Sequence, residues 1–321
     1  MSSATPIFAA KPANRAGHGR MHLLMLLVTV CWASNIIAGK EALTGFGALA
    51  LAQLRVLGAA IIYVIGFLAS GRLRRLQLSP RKWLFLVAMA ANGIALNQLT
   101  FIGGMARSTV AHTGLIVALG PVMVLAIAVV IRLEVLTAWK IAGMIIAFAG
   151  VGILAADKAG QGSGKHWVGD LILLASTLVF AIFTILVKEV ANHFDALTLN
   201  TLIFALGAVM MLPFCAHAVV VTNWAALRLE AWWGLAFLVV FGSVISYLLF
   251  AYVMTELAAS RAAAFNYLQP VIASALGIWV LSERLTSKVL IGGALILAGV
   301  YLTERERGEE KAPGNSIAGA V

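Results

Sequence analysis

Ten apolar runs divide the sequence, near 22–39, 48–70, 83–105, 109–131, 138–156, 168–187, 197–221, 231–255, 260–281 and 287–303. Most reach about 20 residues, the length a helix needs to cross a hydrocarbon core of about 30 Å. Composition agrees with lipid as the main solvent. The 321 residues are 62% hydrophobic and 11% charged, with a mean hydropathy of +0.98, against about 45–50% apolar and about 25% charged in soluble domains. The reading is an all-α, polytopic membrane protein with ten transmembrane helices. The fifth and tenth runs are the shortest, so Lys140 and Lys288 are expected to snorkel toward an interface. The first run follows Lys11, Arg15 and Arg20, as in a signal peptide, but Trp32, Ser34 and Asn35 sit late in it without a small-residue cleavage site. It is read as a span. Cys31 and Cys215 fall in apolar runs, where free buried thiols are the default.

The fourth and ninth runs share their punctuation. "VALGPVMVLAIAVVIRLEVLT" (117–137) and "NYLQPVIASALGIWVLSERLT" (266–286) each carry a central proline and end in a glutamate followed by a threonine. Pro121 and Pro270 lie 149 residues apart, as do Glu134 and Glu283, Thr137 and Thr286, and Gly143 and Gly292. Lys40 and Lys188 follow at an offset of 148. The chain therefore reads as two copies of one unit, 22–156 and 168–303, joined by the Gly-rich segment 157–167 and flanked by tails at 1–21 and 304–321. Five spans precede the joint, so the second copy enters the membrane from the opposite side and the repeats are inverted. Inverted repeats commonly enclose a substrate site near the midplane, opened to each face in turn by rocking one repeat on the other.

Lys and Arg set the orientation. With the N-terminus inside, the inner segments carry 15 and the outer segments 7, which puts both termini in the cytoplasm. The net charge of +10 is thereby explained by topology and anionic lipid, with no nucleic-acid partner needed.

The polar groups inside the runs are the candidate site. Pro121 and Pro270 each remove an amide donor and kink their helix, freeing the carbonyls of Val117 and Asn266. Such a break is tolerated only where protein or a watery cavity satisfies it. Asn266 and Gln269 lie one turn apart, either lining a cavity or bonding a neighbouring helix. Trp32 with Asn35, Asn97 with Thr100, and Ser243 with Tyr247 are similar pairs at helical spacing. Gly93 and Gly104 extend the stripe of Asn97 and Thr100. Arg55 is a charge within a run, where it either attracts an anionic group, such as a substrate carboxylate, or snorkels and caps helix ends. His112 is either titratable or structural.

None of the thirteen acidic residues sits in the middle of a run, so coupling through an intramembrane carboxylate is disfavoured. Thr137 and Thr286 are placed as N-caps, with Glu134 and Glu283 as structural helix ends. Gly143 with Gly150, and Gly292 with Gly299, allow close backbone approach within the bundle or across a homodimer. No phosphate-binding loop, metal-ligand spacing or nucleophile elbow is present, so no enzyme, cofactor or metal site is expected.

At this point the sequence resembles a known family. Residues 250–286, "FAYVMTELAASRAAAFNYLQPVIASALGIWVLSERLT", look like the second EamA repeat of the drug/metabolite transporter superfamily. Residues 101–137 resemble the first repeat, with Leu133 where glycine is usual, and "CWASNIIAGK" (31–40) resembles the family's opening motif. Arg55 matches a position where that family commonly carries arginine. The resemblance implies ten helices in an inverted five-plus-five arrangement, an inner-membrane location, and export of small metabolites such as amino acids or of toxic cations. Uptake or exchange by the same fold, and a membrane enzyme or scaffold, are the alternatives. The candidate substrate-binding set is Trp32, Asn35, Asn97, Thr100, Ser243, Tyr247, Asn266 and Gln269. These uncharged groups point to a neutral or zwitterionic solute.

Overall fold

The computed structural model describes residues 18–71, 79–108, 110–131, 137–158, 167–272, 275 and 287–305. Glu134, Glu283 and Thr286 lie outside them. Among the described residues every regular element is helical. In chain order these are α1 (His18–Ala42), α2 (Ala48–Ala69), α3 (Pro80–Met89), α4 (Asn97–Arg107), α5 (Val110–Val117), α6 (Gly120–Val130), α7 (Ala138–Lys158), α8 (Trp167–Val190) and α9 (Ala196–Val220). They continue as α10 (Leu229–Val239), α11 (Ser246–Val253), α12 (Ala259–Ala264), α13 (268–272) and α14 (Ser287–Arg305).

Six continuous helices are long and apolar enough to cross a membrane: Gly19–Ala42, Ala48–Ala69, Pro80–Arg107, Val168–Val190, Ala196–Val220 and Leu229–Val253. Shorter apolar stretches occupy Ala138–Gly150 and Leu290–Gly299. Large apolar side chains face outward around the bundle. Leu84, Val130, Phe214 and Trp233 are 71%, 80%, 68% and 69% exposed. Such a surface is unstable in water and natural in lipid. The protein is a multi-pass membrane protein.

Helix starts follow local chemistry. Ser79, with Pro80 behind it, accepts from the Lys82 amide at 3.4 Å. Asp195 accepts from the Thr198 amide at 3.1 Å. Thr137 Oγ1 accepts from the Lys140 amide at 3.3 Å. Each satisfies one of the donors a helix leaves orphaned at its start. Lys140 itself departs from expectation: it is only 4% exposed, enclosed by protein rather than reaching past it. The fourth and ninth runs are broken just before their prolines. Ala118 and Leu119 form a turn between α5 and α6, and Phe265–Tyr267 is a 3₁₀ turn between α12 and α13. Pro121 is buried in the first turn of α6, where its missing amide costs nothing to the ladder. The Asn266 carbonyl accepts from the Leu268 amide, so the 3₁₀ turn takes up a carbonyl expected to be free.

Contacts recur at the repeat offset. Lys40 Nζ donates to the carbonyls of Met105 and Ser108, both at 2.6 Å, tying α1 to the end of α4. Lys188 Nζ donates to the carbonyl of Met254 at 2.9 Å, and Met254 stands 149 residues beyond Met105. Both third-position helices contain a π segment, Ala90–Leu96 leading into α4 and Val240–Ile245 leading into α11. The closing helices α7 and α14 meet at backbone contact. A Cβ on Gly150 would lie 2.6 Å from the Gly292 oxygen, and one on Gly299 would lie 2.5 Å from the Gly143 oxygen. That pairing runs antiparallel, and it shows the four glycines serving contact within the bundle.

Candidate functional site

A cavity opens among α1, α2, α4, α5, α6, α8, α11 and the broken ninth run. Six of the eight predicted contact residues line it. Trp32 and Asn35 come from α1, Asn97 from α4, Tyr247 from α11, and Asn266 and Gln269 from the 3₁₀ turn and α13. Arg55 of α2 also lines it. Thr100 and Ser243 do not. Thr100 Oγ1 bonds back to the Leu96 and Asn97 carbonyls at 2.7 and 3.1 Å. Ser243 is fully buried behind Arg55 and accepts from its Nε at 2.9 Å.

Arg55 is 2% exposed, and among the described residues its guanidinium is held by neutral acceptors. Besides Ser243 Oγ, Nη2 donates to the Gly242 carbonyl at 3.1 Å. The hydrogen-bond network turns the Asn35 amide oxygen toward it, accepting from Nη2 at 3.0 Å and Nη1 at 3.3 Å. The reason for this clamp lies in the π segment. Its wide turn disturbs the regular i to i−4 ladder, and side chains bond its carbonyls instead. Tyr63 Oη donates to the Ser243 and Val244 carbonyls at 3.3 and 2.7 Å, and Ser246 Oγ to the Phe241 carbonyl at 2.5 Å. Arg55 thus both braces α2 against that segment and presents a positive charge to the cavity. Among the described residues no carboxylate reaches it.

The rest of the wall is aromatic and amide. The Trp32 ring sits 5.3 Å from Phe180 and 6.0 Å from Tyr247, both edge-on, and 5.3 Å from Phe250. Gln98 Nε2 donates to Tyr247 Oη at 3.1 Å, while Gln98 Oε1 is buried with no partner. Gln269 Nε2 donates to Asn266 Oδ1 at 3.0 Å. Asn97 Nδ2 bonds the Ser176 carbonyl and hydroxyl, each at 3.2 Å, so one face of Asn97 joins α4 to α8. The glycine stripe on this run is packing: a Cβ on Gly93 would collide with the Phe183 ring, and one on Gly104 would lie 3.0 Å from the Gly169 oxygen.

Gln98, Phe101, Ser176, Thr177 and Phe180 also line the cavity and were not singled out from the sequence. Four wall positions pair with their own repeat equivalents: Trp32 with Phe180, Gln98 with Tyr247, Val117 with Asn266, and Gly120 with Gln269. The first two pairs touch directly. Aligning the two repeats, rather than scanning for polar pairs, was the signal that would have found Phe180 and Gln98. Tyr252, five residues beyond Tyr247, is 38% exposed and does not line the cavity. The His112 side chain is outside what the structure describes.

The chain matches the EamA-like transporter family twice, over residues 19–156 and 167–305. Among curated proteins it is 26% identical over 288 residues to an uncharacterized transporter of Archaeoglobus fulgidus, covering 89% of this chain and 98% of that protein. It is 26% identical over 296 residues to a probable terminal-alkyne amino-acid exporter of Streptantibioticus cattleyicolor, covering 90% and 96%. An uncharacterized transporter of Bacillus subtilis is 26% identical over 300 residues, covering 93% and 96%. One solved crystal structure superimposes with a TM-score of 0.73 at 16% identity, covering 91% of this chain and 99% of that one.

Proposed function

We propose, for a chain that belongs to the EamA-like transporter family, that it exports small metabolites such as amino acids across the cell inner membrane by alternating access. The single observation carrying this reading is the cavity between the two family repeats. It is lined by uncharged hydrogen-bonding groups, an aromatic cluster and one arginine. A solute bound there is contacted by both halves, so rocking one half on the other exposes it to one face or the other. The printed name of one relative, a probable terminal-alkyne amino-acid exporter, supports an amino-acid solute. Arg55 argues against efflux of cations, whose charge it repels.

The architecture that fits this reading has ten spans in two inverted five-helix repeats, 22–156 and 168–303, with both termini cytoplasmic. The six long helices supply six of the spans. The pairs α5 with α6 and α12 with α13, together with α7 and α14, supply the other four. The antiparallel glycine contact of α7 with α14 supports inversion, because parallel copies related by an axis along the membrane normal place their closing helices side by side in the same direction. The 15-to-7 excess of Lys and Arg on alternate segments supports the orientation. No phosphate-binding loop is present for direct use of ATP, so the transporter is of the secondary type.

Counterflow tests the reading. Purified protein in proteoliposomes loaded with an unlabelled amino acid should accumulate its radiolabelled form transiently, with saturation. Absence of flux across a broad panel of amino acids and related metabolites overturns it.

A further inference from the structure

The cavity wall holds two unmatched features. Arg55 is a full positive charge, 2% exposed, whose hydrogen-bond partners among the described residues, Ser243, Gly242 and Asn35, are all neutral. A buried cation without an anion is costly, and protein interiors ordinarily pair it. None of the thirteen acidic residues lies mid-run to do so. Gln98 is the second feature. It is 2% exposed, its amide nitrogen is engaged by Tyr247, and its amide oxygen is a buried acceptor without a donor. Orphaned buried acceptors are rare because each carries its full desolvation cost. Both residues line the same cavity, together with Trp32, Phe180 and Tyr247, whose rings cluster there.

We infer that the solute is an α-amino acid with an apolar side chain, whose carboxylate is taken by Arg55 and whose amino group is taken by the amide oxygen of Gln98. The carboxylate replaces the missing counter-charge, and the ammonium group supplies the missing donor. An apolar side chain then lies against the aromatic cluster. The inference deepens the exporter reading and rests on it. Asn35 thereby becomes a positioning residue for the carboxylate site, because its amide oxygen holds the guanidinium in place.

The test uses the wild-type chain in proteoliposomes, with a panel of radiolabelled neutral L-amino acids, L-leucine among them, as counterflow probes. L-leucinamide, which lacks the carboxylate, should compete about ten- to a hundredfold less well than L-leucine, the range of a lost charge-assisted hydrogen bond. The 2-oxo acid of leucine, which lacks the amine, should compete less well than L-leucine. Arg55→Gln should erase the discrimination against L-leucinamide. Gln98→Leu should erase the discrimination against the oxo acid while retaining that against L-leucinamide. Equal competition by L-leucinamide in the wild-type protein overturns the Arg55 assignment, without depending on whether a variant folds. Flux of a solute without a carboxylate, in the absence of amino-acid flux, overturns the inference and leaves the transporter reading standing. Absence of any flux overturns both.

Discussion

The two repeats use the same scaffold and opposite chemistry. Where the chain is braced, equivalent positions are alike: Lys40 and Lys188 each bond the carbonyls ending the third helix of their own repeat, and Gly143 and Gly150 meet Gly299 and Gly292. Where the chain faces the centre, equivalents diverge. Asn35 and Arg55 in the first repeat correspond to Phe183 and Ile203 in the second, which are 1% and 0% exposed core residues. Asn266 and Gln269 in the second correspond to Val117 and Gly120 in the first. Even the contact is retained while the residue changes: Gly93 leaves room for Phe183, and Gly242 leaves room for Asn35. Shared positions identify what holds the fold. Unlike positions identify what the cavity recognises.

The largest effect is expected where the halves are most alike. Gly299→Val drives a side chain into the Gly143 backbone, which has no flexible end to yield, and should cost about 3 kcal/mol or more. Thermal unfolding and recovery of monodisperse protein in detergent would register it. Gly150→Val should do the same, and a large difference between the two would break the equivalence of the closing helices. Next comes Arg55→Ile, which rewrites a first-repeat position as its second-repeat counterpart. Flux should drop at least about tenfold, and the melting temperature should fall, because Ser243, the Gly242 carbonyl and Asn35 lose the donor they share. Undiminished transport would reduce Arg55 to a brace. Lys40→Met and Lys188→Met should each lower stability by about 1 kcal/mol; loss in only one would show that the two braces are not equivalent. Smallest is Thr100→Val. This residue bonds its own helix and stays off the cavity wall, so transport kinetics should remain within about twofold of wild type, and a larger change would restore it to the site.

Much of this comparison can be read in the amino-acid order, because repetition survives where packing demands it. The prolines, the lysines and the closing glycines lie at one offset, give or take a residue, and lipid forces long apolar runs to become helices. The wall was harder. Polar side chains at helical spacing picked out Trp32, Asn35, Asn97, Tyr247, Asn266 and Gln269, which line the cavity. The same rule also chose Thr100 and Ser243, whose hydroxyls serve backbone or Arg55 instead. A one-dimensional pattern does not distinguish a hydroxyl bonded to its own helix from one offered to a ligand. Nor does it announce the π segments, one of which ends two residues before Gln98. Phe180 was hidden by being apolar, although it is the repeat equivalent of Trp32 and the two rings meet edge-on at 5.3 Å. The helix breaks before Pro121 and Pro270 leave the prolines in opening turns, where the ring is well accommodated.

Arg55 gives the protein an electrical consequence. Its guanidinium is a fixed elementary charge within the low-dielectric span, and a charge crossing the full membrane field changes energy by about 2.3 kcal/mol per 100 mV. Displacement through a quarter of that field would amount to about 0.6 kcal/mol, enough for the resting voltage to favour one facing of the empty carrier over the other by more than twofold.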